Sequence, residues 1–398
     1  MKRFKQNRLT TFIFIIYFLC FTDCIFAQFG YKEIDDDPIT EFQKIEFFSN
    51  TYYNRVEGIV LHGGLFLNKI RFWPIITFFQ GAYGTKYKNV QYDIGVQRWL
   101  FLDSKRLLLR INYYRETVTN DDWKIGKIEN SYAGVLFRED FYNHFTRKGW
   151  RIIADQSIIK NNLIRIEFSR YDYISMPVNT NFAGTIFGGN KKFRLNPAIP
   201  EGTENSLKLL FLIDSRDNIF FPTHGLYLEG SFEKTFADFL TNGLFLKASY
   251  FLPVFHKQKL VFSGMLGSRT GSIAPQHLIS IGGIGSLRAF PDYYRLGQNF
   301  IFTRVIYHFD GAIINLLPLK RVPTSDATSI ALFFECGDAW YNSQNKKSLF
   351  DGFTKANIIS DAGISLLLAD GILRFDFARQ ILKGYKNWRI TFRLFNKL

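Results

Sequence analysis

Seven residues near the C-terminus, Trp388-Arg389-Ile390-Thr391-Phe392-Arg393-Leu394, put an apolar side chain at every even number and Arg, Thr or Arg at every odd one. Side chains that alternate between two sides belong to a β-strand, so this segment is a strand with one apolar and one polar face. The rhythm returns in Leu373-Arg374-Phe375-Asp376-Phe377, which the Ala369-Asp370-Gly371 turn joins as a hairpin to 364–368. Followed along the chain, it predicts sixteen strands, near 56–67, 72–83, 90–100, 106–116, 130–139, 149–157, 162–171, 206–213, 225–235, 243–252, 259–268, 299–309, 328–337, 361–369, 371–379 and 388–395. That leaves roughly 23 residues per strand with its connection, which suits membrane-crossing strands of roughly 9–11 residues plus loops. An even number also returns both ends of the chain to one side of a membrane.

Composition decides what surrounds those strands. Aromatic residues make up 18% of the chain, with 44 Phe and 20 Tyr, while Pro and Met number 11 and 3. No run of 18 apolar residues follows the N-terminal region, which excludes a helical membrane protein. Abundant aromatics with alternating hydropathy fit a transmembrane barrel, where only every second residue meets lipid.

The first eight residues carry Lys2, Arg3, Lys5 and Arg8 and no acid, and they lead into the apolar Thr11-Phe12-Ile13-Phe14-Ile15-Ile16-Tyr17-Phe18-Leu19. A basic start, a short apolar stretch and small Ala27 before Gln28 read as a cleaved export signal over 1–27. Lipidation at Cys20 or Cys24 is the alternative, although neither follows a convincing small-residue lipobox. Cleavage leaves Cys336 as the sole cysteine, so no internal disulfide forms, and its simplest role is a small residue packed in a strand. The net charge of +15 becomes +12 once the signal's four cations and Asp23 are removed. We read that excess as arginines facing a polar lumen and cations near anionic lipid headgroups, with no nucleic acid as partner.

Three later segments resemble motifs of one family. Gly282-Gly283-Ile284-Gly285-Ser286-Leu287-Arg288-Ala289-Phe290, followed by Leu296-Gly297-Gln298-Asn299, is similar to the loop motif of the BamA and TamA superfamily, also called the bacterial surface antigen family. Asp214-Ser215-Arg216-Asp217-Asn218, with Pro222, His224 and Gly225, resembles that family's Asp-x-Arg-Asp-Asn-x-x-x-Pro-x-x-Gly turn, and Phe333-Phe334-Glu335-Cys336-Gly337-Asp338-Ala339-Trp340 its Phe-x-Asp-x-Gly-x-x-Trp strand end. The matches cover roughly 205–398; the N-terminal half rests on alternation alone.

The resemblance implies an all-β fold, a transmembrane antiparallel β-barrel of 16 strands with a long extracellular loop between strands eleven and twelve folded into the lumen. The sixteen candidates agree, with eleven before Gly282 and five after Phe290. It also implies that Gly282, Gly283, Leu287, Arg288 and Phe290 form the lumen-loop motif, with Arg288 reaching wall acids. Glu335 stands at one such position. At the second, in the strand ending Val305-Ile306-Tyr307-His308-Phe309, Ile306 replaces the acid, so fewer charge-assisted bonds are expected to hold the loop. Position 289 departs as well: the family prefers Gly, and Ala289 accepts a positive φ less readily.

The domain order expected is a signal at 1–27, a short periplasmic lead-in at 28–55 without room for POTRA domains, and the barrel at 56–398. Long loops should follow odd strands, as at 172–205, 269–298 and 338–360, and short turns even ones, as at 158–161, 253–258 and 370; the stretches 117–129 and 310–327 break that rule. The C-terminal strand ends Leu394-Phe395-Asn396-Lys397-Leu398, without an in-phase aromatic.

Other features have plainer readings. No Lys-Ser/Thr follows Gly282-Gly283-Ile284-Gly285, so it is not a phosphate-binding loop. Asp214, Asp217 and His224 invite a metal but suit a hydrogen-bonded turn, in which Asp214, Arg216, Asp217, Pro222 and Gly225 shape a chain reversal. Arg374, Arg389 and Arg393 are either a selectivity lining or a solvated wall. No nucleophile elbow or zinc-binding helix is present, so neither an enzyme nor a cofactor is expected. The resemblance implies insertion or translocation of outer-membrane proteins, with outer-membrane lipid, client barrels and a separate periplasmic or lipoprotein partner around the chain. The alternative is a structural or pore-forming barrel.

Overall fold

The computed structural model describes residues 44–68, 75–100, 106–159, 161–181, 190–219, 221–255, 258–309, 328–342, 350–368, 371–381 and 388–394. The expected signal, the first part of the lead-in (28–43), the whole 310–327 connection and the C-terminal 395–398 lie outside them.

One antiparallel sheet of sixteen strands forms the molecule. Its members are β1 (Lys44–Asn54), β2 (Gly58–Asn68), β3 (Ile76–Gly84), β4 (Val90–Leu100), β5 (Leu107–Val118), β6 (Phe145–Ile159), β7 (Asn162–Ser175), β8 (Gly202–Asp214), β9 (Gly225–Ala237), β10 (Thr241–Pro253) and β11 (Lys259–Gly271). After an insertion holding the short hairpin β12 (Ile279–Ile281) and β13 (Arg295–Gly297), the sheet resumes with β14 (Asn299–His308), β15 (Ser329–Trp340), β16 (Ile359–Leu368), β17 (Leu373–Gln380) and β18 (Trp388–Leu394). Each sheet strand pairs with the next in sequence, the meander of a transmembrane barrel.

The burial pattern is inverted relative to a water-soluble protein. On β18, Trp388 and Ile390 are 63% and 66% exposed, whereas Arg393 is 2% exposed. Leu207, Leu209, Phe211 and Ile213 of β8 and Leu109, Ile111 and Tyr113 of β5 also point outward, while Arg288, Glu335 and Asp376 are buried inside. Apolar residues that leave the interior to charges need lipid around them.

Two sequence expectations are corrected. Residues 44–54 belong to the barrel as β1, so the lead-in does not extend to 55. Its doublets Phe47-Phe48 and Tyr52-Tyr53 interrupt the alternation that marks a strand. The strand expected at 130–139 is instead a helix, α1 (Lys127–Phe137). Ile128, Tyr132 and Leu136 recur every fourth residue, so this short apolar run satisfies the helical period. Arg138 ends the helix in the left-handed region (φ 54°), and the Glu139 N–H closes on the Ala133 carbonyl at 3.1 Å.

These two errors cancel, which is why the count of sixteen stands and the Arg288 insertion still follows the eleventh sheet strand. They also explain the anomaly at 117–129. With β1 restored, the long 119–144 connection follows the fifth strand and joins 176–201 and 272–298 on the loop side.

Candidate functional site: a loop clamped inside the barrel

Arg288 lies on the insertion between β11 and β14, which the β12–β13 hairpin gathers at its base through the register Ile279↔Gly297, Ser280↔Leu296 and Ile281↔Arg295. Beyond β12 the chain reverses tightly. Gly282 and Gly283 take φ of 104° and 91°, and a side chain on Gly283 would collide with Asp292. The Ser286 hydroxyl accepts from the Gly282 N–H at 3.0 Å, and the Phe290 N–H donates to the Leu287 carbonyl at 2.9 Å. The remaining left-handed residue of the motif is Leu287 (φ 48°), two residues earlier; Ala289 does not take a positive φ, so the absence of Gly there brings no strain.

The reversal drives Leu287, Arg288 and Phe290 into the interior, where all three are buried. Arg288 Nε lies 3.1 Å from Glu335 Oε1, and the Arg288 backbone N–H donates to Glu335 Oε2 at 3.1 Å. Its Nη1 donates to Asp376 Oδ1 at 2.9 Å and to Ser365 Oγ at 3.0 Å. The guanidinium lies over the Phe333 ring, 4.0 Å from its centroid. Phe290 packs on Tyr294 at 4.8 Å, and Arg389 donates to the Phe290 carbonyl.

The expectation of a weaker tether is overturned. Ile306 is buried in the apolar cluster around Phe333 and Leu287, and the missing acid is supplied elsewhere, by Asp376 on β17 and Asp361 on β16. Asp361 Oδ2 accepts from the Ala289 N–H at 2.6 Å, and Gln380 donates to the Ala289 carbonyl at 2.9 Å. Arg304 on β14 donates to Glu335 Oε1 at 2.5 Å and to the Gly285 carbonyl at 2.7 Å, so Glu335 serves two arginines. Sequence reasoning missed Asp361, Asp376 and Arg304. Alternation carried the signal for Asp376, which shares the inward face of β17 with Arg374.

The inward arginines of the last strands are paired: Arg374 with Asp376 (3.0 Å), Arg389 with Asp292 (3.1 Å) and Arg393 with Glu129 (2.7 Å). Arg389 and Arg393 are thereby tied to the internal loop and to α1, and Arg374 to its own strand. Three loops also interlock at Tyr293, whose hydroxyl donates to Asp121 Oδ2 at 2.5 Å and accepts from Arg194 at 2.9 Å.

The second motif lies between β8 and β9, on the turn side. Arg216 grips Asp214 with two bonds of 2.8 and 2.6 Å. Asp217 accepts from the Thr223 N–H (2.8 Å), the Thr223 hydroxyl (2.5 Å) and the His224 N–H (3.1 Å), and the Thr223 hydroxyl above all holds its carboxyl below the usual carboxylate range. Pro222 gives its carbonyl to Lys259 Nζ at 2.8 Å, and Gly225 (φ 114°) occupies a place where a Cβ would strike the Ser215 carbonyl. Both acids are occupied as acceptors within the turn. Among the described residues, no group of three or more His, Cys, Asp or Glu is arranged to hold a metal ion.

Apolar residues outside, charges inside and a long loop clamped to the inner wall define a transmembrane β-barrel with an internal loop. The chain matches the Omp85 superfamily domain over residues 44–394, and it belongs to that superfamily. No curated protein matches it in sequence. Among solved structures it is similar to BamA from Haemophilus ducreyi lacking POTRA domains 1-3, with 14% identity and a TM-score of 0.56, over 89% of this chain and 70% of that one. It is also similar to CdiB from Escherichia coli, with 12% identity and a TM-score of 0.37, over 89% of this chain and 62% of that one. The likeness to BamA is one of fold, and it agrees with the family read from the three motifs.

Proposed function

We propose that this chain is an outer-membrane barrel that inserts or translocates other outer-membrane polypeptides. The observation that supports the reading is the state of the sheet's two ends. Each inner strand is paired on both sides, but among the described residues no backbone ladder joins β1 to β18. A strand edge in hydrocarbon has no water to satisfy its N–H and C=O groups, so an open edge inside a membrane favours pairing with an incoming strand. Such pairing offers a client polypeptide its backbone partners without any bond chemistry or cofactor. The clamp at Arg288 holds the internal loop against β15 to β17 and stiffens the wall next to that seam. Outer-membrane lipid surrounds the barrel, and a separate periplasmic or lipoprotein partner would deliver clients.

Depletion of the protein followed by quantitative proteomics of the outer membrane tests this reading. Loss of several unrelated barrels is the expected result. An unchanged set would remove the assembly role and leave a structural or pore-forming barrel, which single-channel conductance sensitive to Arg288→Ala would then support.

A further inference from the structure

One helix reaches both end strands of the sheet, which no backbone ladder joins among the described residues. In the β1–β2 register Tyr53 faces Ile59. The Ile59 N–H and C=O turn away from β1, to the Thr85 hydroxyl (3.2 Å) and the Thr85 N–H (2.9 Å). In an antiparallel pair the opposed residues either exchange both bonds or neither, so the Tyr53 backbone groups face the free edge. There both meet Ser131 of α1: the Tyr53 N–H donates to Ser131 Oγ at 2.9 Å, and that hydroxyl lies 3.1 Å from the Tyr53 carbonyl. Two residues earlier on the same helix, Glu129 Oε1 accepts the Leu394 N–H of β18 at 3.0 Å, and its carboxylate takes Arg393 in a fork of 2.9 and 2.7 Å.

Further contacts fix the helix in that place. Gly134 lets α1 approach the Tyr53 ring, because a Cβ there would come within 2.9 Å of it. Phe137 meets Phe392 of β18 edge-on at 6.5 Å. Asp140, just beyond the helix, accepts from the Arg55 N–H at 3.0 Å and from Asn130 at 2.9 Å. A helix cannot extend a sheet, yet these side chains satisfy backbone groups that a neighbouring strand would otherwise pair.

We propose that α1 is a latch on the seam: it holds the backbone positions at Tyr53 and Leu394 that an incoming extended strand needs, and it must leave as a unit before that strand can add. The proposal rests on the insertion reading for its purpose, but the latch itself is testable without any client. Ser131→Ala removes the contact to β1, and Glu129→Ala removes the contact to β18. Amide hydrogen exchange at Tyr53 and Leu394, resolved by fragmentation mass spectrometry on barrels whose heat-modifiable migration shows them folded, reads both ends separately. If α1 moves as a unit, Ser131→Ala speeds exchange at Leu394 at least tenfold, and Glu129→Ala does the same at Tyr53, with the amides of β11 unchanged. Acceleration confined to the amide that lost its own partner overturns the latch, as does equal acceleration in β11. Should Glu129→Ala fail to fold, the response of Leu394 to Ser131→Ala decides alone. Because no client is present, failure here leaves the depletion experiment untouched, and failure there leaves the latch standing.

Discussion

The guanidinium of Arg288 donates to Asp376 Oδ1 at 2.9 Å, a contact that joins the internal loop to a strand 88 residues further along the chain. With Glu335 on its other side, Arg288 sits between acids from two strands that are not neighbours in the sheet, β15 and β17. Arg288→Ala leaves both acids buried and short of a partner. Breaking a buried pair from one side costs ~3–5 kcal/mol. We expect a correspondingly lower urea midpoint for the lipid-inserted barrel. Arg288→Lys should not restore it, since an ammonium lacks the planar fork; full rescue by Lys would show that charge alone holds the loop.

Coupling between Arg288 and Asp376 should be measurable apart from either residue's single effect. A double-mutant cycle with Arg288→Ala and Asp376→Ala is expected to give an interaction energy of about 1–3 kcal/mol, whereas Arg288→Ala with Asp214→Ala, in a separate turn, should add to within about 0.5 kcal/mol. Additivity in the first pair would contradict the clamp.

Gly283→Ala should loosen the loop without unfolding the barrel. The position combines φ of 91° with a Cβ site already filled by Asp292, and such strain costs ~1–3 kcal/mol. Limited proteolysis should then cut within 272–298 while the rest of the sheet stays protected. Gly126→Ala is the control, since a Cβ there meets nothing within 4 Å.

Acid should release the helix side of the assembly. Burial alone would raise the Asp140 carboxyl, but His144, at 3.0 Å, and Arg55, at 3.2 Å, outweigh it and hold the carboxyl well below the usual carboxylate range. A depressed acid stabilises the folded state above its unfolded value near 3.9, and this contribution fades as pH falls below that value towards the folded one. Proteolytic protection of 119–144 is therefore expected to hold from pH 7 to about 5 and to weaken below about 4. In Asp140→Asn the protection should be lower at pH 7 and fall less steeply across the same range, the remainder coming from Asp121, whose carboxyl Lys124 also holds low against its burial.

The strands were legible in the sequence because lipid outside and charge inside force strict alternation, as in β17 and β18. Residues 44–54 and 127–137 were not. β1 carries aromatic doublets on a strand whose free edge is covered by a helix, so both sides of Tyr52-Tyr53 are buried and alternation disappears. The helix has no side-chain N-cap hydrogen bond to announce it. At the clamp, motif position identified Arg288 and Glu335, but Asp361 and Asp376 lie outside any motif and reach the site only through the register of β15, β16 and β17.

Capture of clients at the seam tests the central claim most directly. A photo-crosslinking residue replacing Phe47 of β1, 71% exposed beside the free edge, is compared in living cells with one replacing Ile152 of β6, 43% exposed on another part of the wall. The account expects newly made outer-membrane polypeptides to be captured at position 47 and not at 152. Capture at neither position, or equally at both, would contradict it.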